Sequence, residues 1–336
     1  MKNLMKIAIV LCVLAGLLCS CSDDPGSNGP GENNPGGNNP GGNNPGGNGA
    51  SNVWTAVTDS PFTIFINAIA WGNNKFVAGD QSGNMAYSSD GITWTAGSDK
   101  KIGNHAIAWG NNKFVAVDFT TVAMYSSDGV TWTGETDSNG LGIFNYCAIA
   151  WGNNKFVAGA ASNGRMVYSS DGVTWTGVTD STFGTGGIYA IAWGSNKFVA
   201  GGDSGKIAYS SDGITWTAVT DSPLTNEIQA IAWGNNKFVA GTENGKMAYS
   251  SDGITWTAVT DSTFGTDDIY AIAWGNNKFV AGGERGKMAY SSDGVTWTAM
   301  TNLPFGKSRI DAIAWGNNKF VAGWGLGNLS YWSGNE

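Results

Sequence analysis

Seven polar residues recur along the chain, each directly in front of the tetrapeptide Ala-Ile-Ala-Trp. We call them the mouth residues: Asn67, His105, Cys147, Tyr189, Gln229, Tyr270 and Asp311. All seven side chains can form hydrogen bonds, and convergent polar groups of this kind are typical of sites that bind sugars or peptides. Drift in unconstrained loops is the alternative, but drift is not expected to exclude apolar residues from every copy. The pattern therefore predicts a ligand-binding ring.

Carboxylates are the other residues that could do chemistry. Glycosidase chemistry needs two of them at a defined separation, and the candidates in the variable turns are spread along the chain without distinguishing context: Asp80, Asp118, Asp203, Glu243, Glu284 and Asp311. The sequence contains one histidine, which supports neither a metal cluster nor a Ser-His-Asp arrangement. We therefore expect no enzyme, no cofactor and no metal site.

The residues that position this ring belong to a repeat. The phrase "AIAWGNNKFVAG" stands at 68–79 and returns unchanged at 148–159, 230–241, 271–282 and 312–323. Two further copies, at 106–117 and 190–201, each carry one substitution. A second phrase, "YSSDGITWT" at 87–95, alternates with it. One unit therefore reads as four short extended runs within about 41 residues, separated by Asn-Asn and Asp-Gly turns. Four strands repeated at this period predict the blades of a β-propeller.

The two ends of the repeat array complement each other. The folded part begins with "NVWTAVTDS" (52–60), which matches only a fourth strand, and finishes with three strands at 312–333. Together they make one blade. The sequence thus predicts an all-β fold over 52–333: a seven-bladed β-propeller of four-stranded antiparallel blades, closed by the N-terminal strand pairing into the last blade around Trp54.

Sequence variation is predicted to fall on one side of this propeller. The turns between strands one and two, and between strands three and four, are nearly constant from blade to blade, and we call their side the invariant face. The two–three turns and the connections between blades differ, and they define the variable face. Binding residues gather on loops carried by a rigid scaffold. We expect Phe183 and Phe264, in two of these connections, to form an aromatic layer that contacts a ligand.

The segment "SSDGITW" (88–94) resembles the Asp-box, or BNR, repeat of sialidase-like propellers, with one residue fewer between Asp and Thr-Trp. The resemblance implies a turn between strands three and four in which the Asp accepts backbone hydrogen bonds, Gly adopts a positive φ and Trp is buried. Ligand or metal sites are the alternative for these aspartates. The six Asp-box positions are Asp90, Asp128, Asp171, Asp212, Asp252 and Asp293.

Sialidase activity is not expected from this resemblance. Sialidases need three arginines for the substrate carboxylate, a Tyr–Glu pair and an acid/base Asp. This chain has only Arg165, Arg285 and Arg309, two of them in two–three turns, and it lacks the Phe/Tyr-Arg-Ile-Pro motif. The resemblance therefore implies a non-enzymatic relative.

The N-terminal segment has the composition of an export signal. Residues 1–21 combine Lys2 and Lys6 with an apolar run at 7–18, as in a secretory signal peptide. The following "LCSC" resembles a bacterial lipobox and implies a lipid on Cys21, an ordinary cleaved signal being the alternative. Residues 22–50 are rich in Asn, Gly and Pro and predict a disordered tether.

These features predict a bacterial cell-envelope lipoprotein, in the outer membrane or at the cell surface, whose variable face binds a glycan, peptide or protein. A structural scaffold that docks a protein complex is the alternative function. The net charge of −8 and the lack of a basic run argue against nucleic acid as a partner. We expect a monomeric propeller that contacts the membrane only through its N-terminal lipid.

Overall fold

A computed structural model describes residues 53–97, 104–118, 123–135 and 145–333. These residues form β-strands joined by turns, with short 3₁₀ turns at Asp203–Gly205, Glu243–Gly245 and Glu284–Gly286. The predicted signal peptide, Cys21 and the tether lie outside the described residues.

The strands form seven four-stranded antiparallel sheets, one for each predicted blade. The first strand that the structure describes is β1 (Thr55–Ala56), which belongs to blade 7. Blades 1 to 3 follow in chain order: β2 (Ile66–Gly72), β3 (Lys75–Asp80), β4 (Met85–Ser88) and β5 (Thr95–Ala96) form blade 1; β6 (Asn104–Gly110), β7 (Lys113–Asp118), β8 (Ala123–Ser126) and β9 (Thr133–Glu135) form blade 2; β10 (Tyr146–Gly152), β11 (Lys155–Ala160), β12 (Met166–Ser169) and β13 (Thr176–Gly177) form blade 3.

Blades 4 to 7 complete the ring. Blade 4 contains β14 (Ile188–Gly194), β15 (Lys197–Gly202), β16 (Ile207–Ser210) and β17 (Thr217–Ala218), and blade 5 contains β18 (Ile228–Gly234), β19 (Lys237–Thr242), β20 (Met247–Ser250) and β21 (Thr257–Ala258). Blade 6 contains β22 (Ile269–Gly275), β23 (Lys278–Gly283), β24 (Met288–Ser291) and β25 (Thr298–Ala299), and blade 7 contains β26 (Ile310–Gly316), β27 (Lys319–Trp324) and β28 (Asn328–Trp332).

Blade 7 is completed by the N-terminal strand. β1 pairs antiparallel with β28 through Thr55 opposite Tyr331 and Ala56 opposite Ser330. Trp54 is buried beside this strand, with its ring centroid 6.0 Å from that of Trp332. The predicted all-β seven-bladed propeller and its closure by the N-terminal strand are therefore confirmed.

Each first strand ends on a glycine that fits under a tryptophan of the next blade. A Cβ added to Gly72 would stand only 2.2 Å from Cγ of Trp109, so no side chain can be accommodated there. The same contact closes the ring, because a Cβ on Gly316 would meet Trp71 of blade 1. The remaining pairs are Gly110 with Trp151, Gly152 with Trp193, Gly194 with Trp233, Gly234 with Trp274 and Gly275 with Trp315.

The Asn-Asn turn after each of these glycines extends the contact between blades. Asn73 and Asn74 have φ values of 46° and 54°, the left-handed pair that a type I′ hairpin turn requires and that Asn tolerates well. Asn73 Nδ2 donates to the carbonyl of Ser127 in blade 2 (3.2 Å), and Lys75 Nζ donates to the carbonyl of Asp128 (3.1 Å). The repeated turn thus connects neighbouring blades on the invariant face.

Each Asp-Gly turn is stabilised by hydrogen bonds to the carboxylate of its own aspartate. Oδ1 of Asp90 accepts hydrogen bonds from the backbone N–H groups of Ile92 and Thr93, both at 2.8 Å, and Gly91 has a φ of 74°. Partial burial acts to raise the pKa of Asp90, but these hydrogen bonds and one from Ser88 hold it below its usual value. The same backbone bonds recur at the other five Asp-box positions, where the pKa of Asp128 falls to about 2.

The glycine–tryptophan contact gives a direct stability test. We expect Gly72→Ala to lower the free energy of unfolding by about 2 kcal/mol or more, because the new methyl group overpacks against Trp109. The matched control is Gly134→Ala in β9, where the added Cβ would lie 3.3 Å from the flexible Met124 side chain. That control should stay within about 0.5 kcal/mol of wild type. Equal denaturant midpoints for the two variants would contradict the proposed role of the contact.

Candidate functional site

The first strands of the blades surround a central cavity of about 180 Å³. Its lining includes the mouth residues Asn67, Cys147, Tyr189, Gln229, Tyr270 and Asp311, together with the Ala and Ile residues that follow them. His105 lies in β6, but its side chain is outside the described part of the structure. The cavity is smaller than the roughly 300–1,000 Å³ of a typical small-molecule site. It has room for a side chain or a few waters rather than for a large ligand.

A β-bulge places each mouth residue. In blade 1, Ile66 lies opposite Asp80 and Ala68 lies opposite Gly79, so Asn67 has no residue opposite it. The register shifts at the equivalent residue in all six other blades. Bulges change the direction of a side chain and are common beside functional sites. The backbone therefore gives these seven positions the same unusual setting, whatever residue occupies them.

In blades 4, 5 and 6 the mouth residue donates a hydrogen bond to a carboxylate on the variable face. The pairs are Tyr189 Oη with Asp203 Oδ1 at 3.0 Å, Gln229 Nε2 with Glu227 Oε1 at 2.7 Å, and Tyr270 Oη with Asp268 Oδ2 at 2.9 Å. The polar mouth and the acidic loops consequently form one connected network. Burial is the main cause that raises the pKa of the Tyr270 hydroxyl, and the bond to Asp268 raises it further.

These carboxylates are part of a larger group that we call the acidic arc: Asp203, Glu227, Glu243, Asp268 and Glu284. Three of them open the 3₁₀ turns between strands two and three. The other two lie in the blade connections, where their carbonyls accept backbone hydrogen bonds from Glu243 and Glu284 at 3.0 Å. Among the described residues, no Lys or Arg forms an ion pair with the arc.

Burial, and to a smaller extent mutual repulsion, raise the pKa of two carboxylates of the arc. Burial raises the pKa of Glu227 to about 7, and the negative charges of Glu243 and Asp203 add to the effect, against the hydrogen bond from Gln229. Burial likewise raises the pKa of Glu243, with Asp268 as the main charged neighbour. The arc therefore holds negative charge at a cost in free energy that an approaching cation would reduce.

Arg309 and Asp311 lie beside the arc in blade 7. The Arg309 guanidinium stands 4.7 Å from the centroid of the Tyr270 ring, and its Nε pairs with Asp311 Oδ1 at 2.5 Å. The Asp311 side chain is only 9% exposed. Burial raises its pKa to about 6 although Arg309 acts to lower it. Oδ2 of Asp311 has no hydrogen-bond partner among the described atoms.

The expectation that the variable-face carboxylates are scattered is wrong for three of them. Asp203, Glu243 and Glu284 come together because consecutive blades bring equivalent turns side by side. Sequence analysis missed their partners Glu227 and Asp268. The available signal was an acidic residue two positions before the mouth residue in two successive blades.

Asp80 differs from the arc residues because its carboxylate accepts hydrogen bonds from its own turn. Its carboxylate is fully buried and accepts hydrogen bonds from the backbone N–H groups of Ser82 (3.0 Å) and Asn84 (2.8 Å). The Asn84 side chain donates a further bond at 2.7 Å. Asp80 is therefore part of the scaffold. The side chain of Asp118 lies outside the description.

The predicted aromatic layer also needs correction. Phe183 is 1% exposed and packs in the core with Met166 and Ile188, and Phe264 is fully buried with Met247 and Ile269. Both rings fill the space between blades beneath the connections. They therefore stabilise the loops and present no surface to a ligand.

Two kinds of site are absent from the described residues. No group of three or more His, Cys, Asp or Glu side chains in this part of the chain has the geometry to hold a metal ion. These residues also contain no helix with the length and apolar character needed to cross a bilayer.

Comparison with solved structures identifies other propellers. YCF48 from Cyanidioschyzon merolae matches with a TM-score of 0.66 and 17% identity, over 83% of this chain and 98% of that one. YCF48 bound to D1 peptide matches at 0.68 and 16%, over 85% and 96%. A catalytically inactive virginiamycin B lyase from Staphylococcus aureus with quinupristin matches at 0.72 and 10%, over 83% and 98%.

These likenesses establish the fold alone, since a propeller can carry a lyase or bind a peptide. No family model matches the chain, and no curated protein matches it in sequence.

The raised pKa of Glu227 predicts a pH-dependent stability. Between the usual value of 4.5 and about 7 the folded protein holds this proton more tightly than the unfolded chain, so Glu227 lowers stability as pH rises through this window. We therefore expect Glu227→Gln to stabilise the protein more at about pH 8 than at about pH 5, measured by urea denaturation. Asp221→Asn, at an exposed loop carboxylate outside the arc, is the control. An equal effect of Glu227→Gln at both pH values would refute the assignment.

Proposed function

We propose that the chain is a binding module whose variable face receives a peptide segment of a protein partner. The mouth residues stand at the centre of the proposed site and the blade connections surround them. The observation that carries the proposal is the bulge that presents seven hydrogen-bonding residues of six types in otherwise copied blades. A rigid ring with a varied centre suits recognition by preorganised groups, which lose little freedom on binding.

The shape of the site favours a peptide over a glycan. A cavity of about 180 Å³ is small for a drug-sized ligand, but it can take one side chain of a segment lying across the face. Burial of Phe183 and Phe264 removes the aromatic platform that a sugar ring would need. The likeness to YCF48 bound to D1 peptide supports the same choice by analogy.

The proposal can be tested with a random heptapeptide display library. Wild-type protein should enrich a limited set of peptides. The triple variant Tyr189→Ala, Gln229→Ala and Tyr270→Ala should lose about tenfold or more of that enrichment, because central interface side chains carry most of the binding energy.

The matched control replaces exposed isoleucines of the invariant face, Ile92, Ile214 and Ile254, by Ala. This control should bind as wild type does. Loss of binding in the isoleucine control with retention in the mouth variant would overturn the proposal. It would favour a scaffold that docks its partner through another surface. A glycan array run in parallel would reveal a sugar ligand.

The location that fits this function is the bacterial cell envelope, with the propeller held on a flexible tether by a lipid on Cys21. A tether of 29 residues, 22–50, gives an r.m.s. reach of about 30 Å. We expect Cys21→Ser to abolish fatty-acid labelling and to release the protein from the membrane fraction. The outer membrane or cell surface is the proposed site of display. Continued labelling of the Cys21→Ser protein would exclude this anchor.

A further inference from the structure

Building on the proposed function, we infer that the variable face selects a cationic segment, one whose Lys or Arg side chains bind the acidic arc and Asp311. This goes beyond peptide binding by assigning the chemistry of the ligand and the residues that read it.

The arc is an organised surface. Tyr189, Gln229 and Tyr270 fix three of its five carboxylates through hydrogen bonds of 2.7–3.0 Å. Asp268 is held from a second side, because its Oδ1 accepts the backbone N–H of Asn244 at 2.8 Å. These carboxylates therefore do not need to be ordered when a ligand binds, which favours affinity.

Three of the nearby cations bind groups outside the arc. Lys287 Nζ and Arg285 Nη1 pair with the two oxygens of buried Asp267 at 2.7 and 2.8 Å. Lys206 Nζ donates to the carbonyl of Phe183 at 3.0 Å. These three basic residues belong to turns that carry the arc but bind groups outside it, so they leave the negative field of the arc for a ligand.

Asp311 provides an independent indication of a ligand. Its side chain is nine-tenths buried and lines the same cavity as Gln229 and Tyr270. Oδ1 pairs with Arg309, but Oδ2 receives no hydrogen bond from any residue that the structure describes. A buried carboxylate oxygen without a hydrogen bond is unfavourable, and an ammonium or guanidinium group entering the cavity would supply the donor.

Arg309 shows that the mouth accommodates a guanidinium. Its charged group lies over the face of Tyr270 at 4.7 Å and near Phe65 at 5.6 Å, the arrangement of a cation–π contact. The same combination of aromatic face and carboxylate continues along the arc at Tyr189 with Asp203. A second guanidinium or ammonium from a ligand would meet similar chemistry there.

The test uses the 336-residue chain and the random heptapeptide library. We expect peptides enriched by wild type to contain more Lys and Arg than the input. The variant Glu243→Gln, Asp268→Asn and Glu284→Gln should weaken the strongest peptide by about tenfold, given up to about fivefold for each exposed ion pair. Its same-face control, Asp59→Asn, Asp180→Asn and Asp221→Asn, makes the same change in net charge at exposed loop positions outside the arc.

The outcomes separate this inference from the proposed function. Enrichment of basic peptides that is lost in the arc variant and kept in the control supports the inference. Enrichment without a Lys and Arg excess, or equal loss in both variants, overturns it and leaves peptide binding in place. Absence of any enrichment contradicts both. Urea denaturation at the assay pH confirms that each variant is folded, and Asp311→Asn should weaken the same peptides independently.

Discussion

The contact between the glycine of one blade and the tryptophan of the next is the interaction on which the rest of the structure depends. Any side chain at Gly72 would collide with Trp109, and the same fit returns to blade 1 through Gly316 and Trp71. A tryptophan supplies a large apolar surface, and a glycine lets it approach the neighbouring backbone. Each blade packs its glycine against the tryptophan of the next blade and its tryptophan against the glycine of the preceding one. The contact therefore fixes the spacing of the blades around the axis.

Repetition of this contact explains why seven copies of one phrase are needed. The Asn-Asn turn continues the interface on the invariant face, where Asn73 and Lys75 donate hydrogen bonds to carbonyls of the Asp-Gly turn in the next blade. Within each Asp-Gly turn, backbone N–H groups donate to the aspartate of the same turn. These residues are fully engaged by the scaffold. The ring is consequently rigid on one face, and the opposite face is free to differ from blade to blade.

Much of the fold follows from the sequence because its determinants are local and repeated. The strands and the left-handed Asn73–Asn74 turn have signals within a few residues of where they act. The completion of blade 7 follows from comparing the two ends of the repeat array, where 52–60 supplies the fourth strand that 312–333 lacks. The candidate site was predicted less completely. Six of the seven mouth residues line the cavity, whereas Phe183 and Phe264 are core residues, since a ring in a connection can point inward as easily as outward.

The sequence alone determined the number of blades, their strand order and the way the ring closes, because periodicity and turn chemistry are written along the chain. Only the tertiary structure decided which charges meet. Glu227 and Glu243 are 16 residues apart, and Asp203 and Asp268 are 65 residues apart, yet the ring brings them onto one arc. Electrostatic interactions depend on distance and burial in space, and neither quantity is encoded in the spacing of residues along the repeat.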